Sequence, residues 1–307
     1  MIQEMSSQTN CNRFRLIRYL SLINFISDCS HQLVMTTSQE FESAYDSMLR
    51  QLERQDQRDK SSMGEDQDYE QFYMEDHRER FGYIFERIPS SRSDLRILDV
   101  GPTPFTFLLN DLLDGSSVST IDFTDLMKER SEDQGVDHVV HDLNEGTVPF
   151  EDEQFDLVIF HGVLEHLLVP AQKLIDEFAR VLDAGGRFIL GTPNFATLKN
   201  RIELLLGQNP QEMIEEEHVH GVGHVREFTV GECRQLVRNA GLVEKEATNL
   251  YYKSIVTHIK NTPSKYGYFG DMPKPLVLAI ATAYYLVTLV TPNSRYHAFV
   301  VGDKPRP

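Results

Sequence analysis

The stretch Arg96-Ile-Leu-Asp-Val-Gly-Pro-Thr-Pro-Phe-Thr106 decides the fold of this chain. It reads as a buried strand ending in Asp99 and a turn at Gly101, and Phe105-Thr-Phe-Leu-Leu-Asn-Asp-Leu-Leu113 follows at once as a helix. In open α/β sheets small ligands bind just past the carboxyl end of the first strand, where backbone N–H groups and a helix N-terminus face them. The next apolar run, Val118-Ser-Thr-Ile-Asp122, ends in an acid. Asp122 lies about 20 residues past the glycine, the spacing at which a carboxylate reaches ribose hydroxyls. The pattern predicts a nucleoside-binding half-site.

The loop argues against a pyrophosphate. A dinucleotide fold has further glycines after the first, so that the backbone can approach the phosphates. Here Pro102, Thr103, Pro104 and Phe105 follow, and the two prolines remove two N–H donors. A ligand with an adenosine and a zwitterionic amino-acid tail needs fewer such donors.

Three further segments continue the pattern. His138-Val-Val-His-Asp142 is a short strand ending in an acid, with Leu143 and Asn144 after it. Phe155-Asp-Leu-Val-Ile-Phe160 is a fourth strand, followed by His161-Gly-Val-Leu-Glu165-His166. A long helix runs to Val181-Leu182, then a Gly185-Gly186 break leads into Arg187-Phe-Ile-Leu-Gly-Thr-Pro-Asn194. The phrases "LDVG", "PFEDEQFDLVIFHGVLEHL", "VLDAGGRFILGTPN" and "HVREFTVGECRQLVRNAGL" occur in that order over roughly residues 94–244. Together they resemble the class I S-adenosylmethionine-dependent methyltransferases, in particular the branch related to the ubiquinone O-methyltransferases.

That resemblance implies an α/β fold, a Rossmann-like seven-stranded sheet with helices on both faces, and S-adenosyl-L-methionine as cofactor. It places Asp99 and Gly101 in the first cofactor loop and Asp122 on the ribose hydroxyls. Asp142 would accept from the adenine amino group, with Leu143 beside the ring, and Phe160 and His161 would flank the sulfonium and its methyl. His161, His166 and His224 are the base candidates, being able to titrate near neutrality. In the ubiquinone and small-RNA branches a Glu-x-x-Glu-His run and a distant His bind a divalent cation. Glu165, His166 and His224 match three of those positions, and Gly162 replaces the first glutamate, which weakens a site for a hard cation. Thr103 and Phe105 stand where the family has glycines. A methyltransferase-fold binding module without catalysis is therefore the reading from another class.

Composition bounds the partners. Thirty basic against 47 acidic residues leave a net charge of −17, which argues against a nucleic-acid substrate. Cys11, Cys29 and Cys233 are too scattered for a disulfide framework or a cysteine-based zinc site, so a cytoplasmic setting is expected. The acceptor is expected to be a small polar molecule, a carbohydrate or glycan precursor, with a quinone or lipid as the rival.

Three parts are expected: a dispensable extension over 1–34, a helical segment with a polar linker over 35–90, and the methyltransferase domain over 91–307. The first 34 residues pair Arg13, Arg15 and Arg18 with an apolar run too short for a convincing signal peptide, and an amphipathic surface helix or a true start at Met35 are the other readings. Arg50 to Asp68 reads as the linker. Tyr69, Phe72, Tyr73, Phe81, Ile84, Phe85 and Ile88 recur at helical spacing and should pack on the sheet or cover the cofactor. Thr229-Val-Gly-Glu232 fits a capping box and Gly241 a helix stop, and two late strands follow at 242–252 and 295–302. Glu215 to His224, rich in histidine and glycine, should form a lid. Residues 276–290 are an apolar run of about 15 residues, about 22 Å as a helix against the roughly 30 Å of a bilayer core. It is expected to dock on the domain or on a second subunit of a homodimer, with peripheral membrane contact as the alternative.

Overall fold

The computed structural model describes residues 39–59, 66–89, 93–211, 223–251 and 274–306. The chain divides into two units, Thr37–Tyr252 with Thr288–Pro307, and Met1–Thr36 with Lys253–Val287. The expectations for residues 1–34 and for most of the Glu215–His224 lid lie outside the described residues.

The first unit begins with two helices, α1 (Gln39–Asp59) and α2 (Asp66–Phe85). Strand β1 (Arg96–Val100), α3 (Pro104–Leu112), β2 (Ser117–Asp122), α4 (Lys128–Asp133) and β3 (Asp137–Val140) follow. Then come β4 (Phe155–His161), α5 (Ala171–Val181), β5 (Leu182–Pro193), α6 (Leu198–Leu205), α7 (Val230–Asn239) and β6 (Val243–Leu250). The unit resumes at Thr288 and ends with β7 (His297–Asp303), while helix α8 (Lys274–Val290) belongs up to Val287 to the second unit. The seven strands form one sheet in the order β3-β2-β1-β4-β5-β7-β6. All pairs are parallel except those made by β7, which runs antiparallel to both β5 and β6. This is the expected seven-stranded fold. Its strand order reverses between β1 and β4, the point at which open sheets bind ligands.

Burial explains why the central strands read as unbroken apolar runs. Every residue of Phe155–His161 is buried, as a parallel strand covered on both faces requires. The pleat sends alternate side chains to two apolar layers. Leu98, Val100, Val158 and Phe160 join Phe178 of α5 and Val237 of α7 in one layer. Ile97, Leu157 and Ile159 join Phe41 of α1, Phe81 of α2 and Leu109 of α3 in the other. The capping box at Thr229 and Glu232 forms as expected, and Gly241 takes φ +78° just past the helix end.

Three local expectations change. The polar stretch after Arg50 is helical to Asp59, because Leu49 and Leu52, three residues apart, still supply an inward face to good helix formers. Tyr45 of α1 donates to the Met74 carbonyl of α2 at 2.7 Å, and Arg78 pairs with Glu42 and Asp46. Gly185-Gly186 does not separate helix from strand: β5 starts at Leu182 and runs through both glycines, with a register shift against β4. Asp142 lies past the end of β3, as the cap of a short 3-10 turn. Among the described residues no helix is long and apolar enough to cross a membrane.

Candidate functional site

The loop after β1 is closed on itself. Gly101 N–H donates to the Ile121 carbonyl, Thr103 N–H to Thr106 Oγ1, Phe105 N–H to Thr103 Oγ1, and Thr106 N–H to the Thr103 carbonyl. Pro102 and Pro104 have none to offer. Every N–H from Gly101 to Thr106 is therefore engaged or absent, which leaves no cradle for a phosphate. Gly101 itself is required: its φ is +78°, and a Cβ there would stand 2.9 Å from Val163 Cγ2. The residues at the two other family glycine positions have structural work. Thr103 caps α3, and the Phe105 ring is fully buried, stacked 4.5 Å from Phe81 in the layer under α1 and α2.

Asp99, on the same side of β1, is buried at 1 % exposure. Its Oδ2 accepts from Thr106 Oγ1 at 2.6 Å, while its Oδ1 has no partner. Burial pushes the carboxyl up to about 7, partly opposed by the Thr106 hydrogen bond. An unmet carboxylate oxygen beside the glycine turn suits a cationic donor such as an amino-acid ammonium.

Asp122 ends β2 and Asp142 caps the 3-10 turn just past β3, the two segments being linked by the bond from His141 N–H to the Asp122 carbonyl at 2.7 Å. Asp122 is half-buried, and its Oδ1 accepts from Thr124 N–H at 2.9 Å. Asp142 is exposed, and its Oδ1 accepts from Asn144 N–H at 2.9 Å. Each thus closes its own turn through one oxygen. Leu143 is buried beside them. Phe160 points away from this edge, its ring 4.6 Å from that of Phe178, so the backbone is what it presents at the strand end.

The three histidines separate into two groups. His166 and His224 come together, with ring centroids 5.1 Å apart. With Glu165 they offer ligand atoms that all lie within 4.8 Å of one another. His166 Nδ1 lies 2.9 Å from the Gly223 carbonyl and His224 Nδ1 lies 3.1 Å from Glu227 Oε1. Those acceptors call for protons on both Nδ1 atoms, which turns the Nε2 of His166 toward Glu165 Oε1, 4.0 Å away, and such Nδ1 acceptors are the usual support of a metal-bound imidazole. Glu165 is buried, accepts from Thr192 Oγ1 at 3.1 Å, and has its carboxyl raised by that burial against the opposing pull of His166.

His161 belongs elsewhere. The pleat turns it toward α2, where its ring meets Phe81 edge-on at 5.3 Å. Burial, then the neighbouring Arg80 and His297, hold it well below the usual histidine range, so it is a weak base. Sequence reasoning missed Arg80, His77 and His297 altogether. They come from α2 and β7, distant in the chain, and no local motif marks them.

Comparison with known proteins bears on the fold. Residues 98–190 match the family model described as a methyltransferase domain. No curated relative matches the chain. A chain of the complex between the Haloferax volcanii Trm112 methyltransferase activator and a methyltransferase is similar at 15 % identity and TM-score 0.51, over 78 % of this chain and 94 % of that one. The YcgJ protein of Bacillus subtilis covers 75 % of this chain with 100 % of its own, at 16 % identity and TM-score 0.47. Haemonchus contortus phosphoethanolamine N-methyltransferase 2, solved with S-adenosyl-L-methionine, matches 74 % of this chain with 52 % of its own, at 16 % identity and TM-score 0.46.

Proposed function

We propose that this protein, an enzyme whose methyltransferase domain uses S-adenosylmethionine, methylates a hydroxyl of a small polar acceptor, a sugar or glycan precursor. The residues at the β1–β2 edge suit that cofactor: a glycine turn without a phosphate cradle, a buried Asp99 oxygen with no partner, and a carboxylate at the tip of β2. Asp99 would meet the cofactor's ammonium, Asp122 its ribose, and Asp142 with Leu143 its adenine. When bound, S-adenosylmethionine supplies an activated methyl carbon on a sulfonium.

The observation that carries the choice of oxygen is the convergence of Glu165, His166 and His224 at the carboxyl edge of the sheet. We infer that they hold a divalent cation, which supplies Lewis acidity toward an acceptor hydroxyl. Gly223 and Glu227 orient the two imidazoles, and Thr192 steadies the carboxylate. His161, kept neutral by burial, is then better read as a wall of the acceptor site than as its base.

A quinone or lipid acceptor is the second reading, favoured by the exposed Leu276, Ile280, Leu286 and Val287 on α8. The test is methyl transfer from radiolabelled cofactor to sugar, catechol and amine panels, before and after chelation and with Mg²⁺ or Mn²⁺ restored. Cation-dependent labelling of a sugar hydroxyl is expected. Labelling of amines alone, indifferent to chelation, overturns the proposal.

A further inference from the structure

We propose that helix α8 (Lys274–Val290) is an interfacial anchor that lays this protein on an anionic lipid bilayer. Such docking needs neither cofactor nor acceptor, so it stands apart from the methyltransferase reading above.

The exposed side chains of α8 draw a single stripe. Leu276, Ile280, Leu286, Val287 and Val290 are each at least 40 % exposed. Ala279 and Ala283, also exposed, lie between them. At about 100° per residue, these positions fall within an arc of about 120° that runs the length of the helix. Among the described side chains of α8 no exposed one is polar. Half-buried Thr282 and Tyr284 line the two margins of the arc. On the far side Thr288 is buried, its hydroxyl 2.8 Å from that of Tyr251, and its carbonyl accepts from Arg295 Nε at 3.3 Å. The last turn is therefore held from one side and bare on the other. Scattered surface hydrophobics are ordinary, but a contiguous face as long as a helix marks contact with a partner or with lipid.

Charge distribution selects lipid. The unit formed by Met1–Thr36 and Lys253–Val287 has seven Lys and Arg against three Asp and Glu, in a chain whose net charge is −17. The one basic unit of an acidic protein is thus the unit that carries the apolar stripe. An anionic bilayer matches both features, taking apolar side chains at the acyl boundary and cations among its headgroups. Tyrosine at the margin suits the same depth, with an apolar ring and a polar tip. A second copy of the chain fits less well. Paired helices flank their seam with opposite charges, whereas α8 holds one charged residue, Lys274, and a second copy would bring the same positive surplus to the contact. At 17 residues α8 is about 25 Å long, short of the roughly 30 Å bilayer core, so it lies along the surface.

Flotation of the full chain with vesicles is the test, using phosphatidylcholine alone and phosphatidylcholine mixed with phosphatidylglycerol, each at low and at high salt. Binding to the mixed vesicles that exceeds binding to the neutral ones and falls in high salt is expected. Ile280→Asp with Val287→Asp puts two charges into the stripe and should weaken binding about tenfold or more. Lys274→Gln should weaken it about fivefold. Ile280→Ser with Val287→Ser replaces the aspartate pair should that variant fail to fold, as judged by its melting curve. Equal binding of the wild type and the double variant, or no preference for the anionic vesicles, overturns the proposal. So does a dimer in light scattering that the double variant dissociates while vesicles stay unbound, since the stripe then belongs to a second copy. Failure to bind vesicles leaves the methyl-transfer panels unaffected, and failure of those panels leaves the vesicle result standing.

Discussion

The hydroxyl of Thr106 donates to the buried Asp99 carboxylate at 2.6 Å while accepting the Thr103 N–H at 2.9 Å. One oxygen thus serves a helix cap and a buried acid of β1 together. Replacing Thr106 by Val removes both bonds without changing the shape of the side chain much. A loss of about 1–3 kcal/mol is expected, because a buried acceptor and a helix-end donor are both left unmet. Urea denaturation at neutral pH checks it, and Thr106→Ser should recover most of the stability.

Asp99 also makes stability depend on pH. Its carboxyl is raised by burial from 3.8 to about 7, so between those values the native state holds a proton that the unfolded chain has released. Folding is therefore favoured most below the unfolded value, weakens as pH rises toward about 7, and is flat beyond. Asp99→Asn should abolish that slope. The variant should gain on the wild type with rising pH, by at most about 4 kcal/mol above neutrality. Parallel melting curves across the range would refute the assignment.

Gly101→Ala meets two obstacles, a left-handed backbone and a contact of 2.9 Å with Val163 Cγ2. A cost of about 1–3 kcal/mol is expected. In a Val163→Ala background the contact is relieved and the backbone term remains, so only part of the melting temperature should return.

Restoring a glycine at position 105 should harm the protein. The Phe105 ring is a core element, stacked on Phe81 and edge-on to Phe41 at 6.5 Å. Phe105→Ala should cost about 3–5 kcal/mol, and Phe105→Gly more. Denaturant midpoints measure both.

Cation binding can be read without turnover. Glu165→Gln and His224→Ala should abolish Mn²⁺ binding measured by electron paramagnetic resonance. Glu227→Gln, which touches only Nδ1 of His224 at 3.1 Å, should weaken it by roughly 10-fold. Binding that is unchanged in all three variants removes the cation from the mechanism.

Much of the fold was legible because short-range chemistry repeats it. Strands β1 and β4 announce themselves as apolar runs that a doubly covered sheet demands, and Thr229 with Glu232 spells out a helix start. The acid that ends β2, Asp122, was visible for the same reason, since a polar residue at the end of such a run marks a sheet edge, whereas Asp142 falls past β3 in the following turn. Polarity misled the reading at Arg50 to Asp59, where two leucines suffice to hold a helix against α2. It misled it again at Gly185-Gly186, where flexibility serves a bulge inside β5.

The linear order of residues was enough to dictate the sheet, its glycine turn and the phosphate-free character of the loop, because proline and glycine act on their own backbone. Which histidines share a site was settled only in three dimensions. His161 lies five residues from His166, yet the pleat of β4 turns it to the opposite side, toward Arg80, while His224 returns from far along the chain to meet His166. Side-chain direction and long-range closure depend on packing between layers, and no local pattern encodes them.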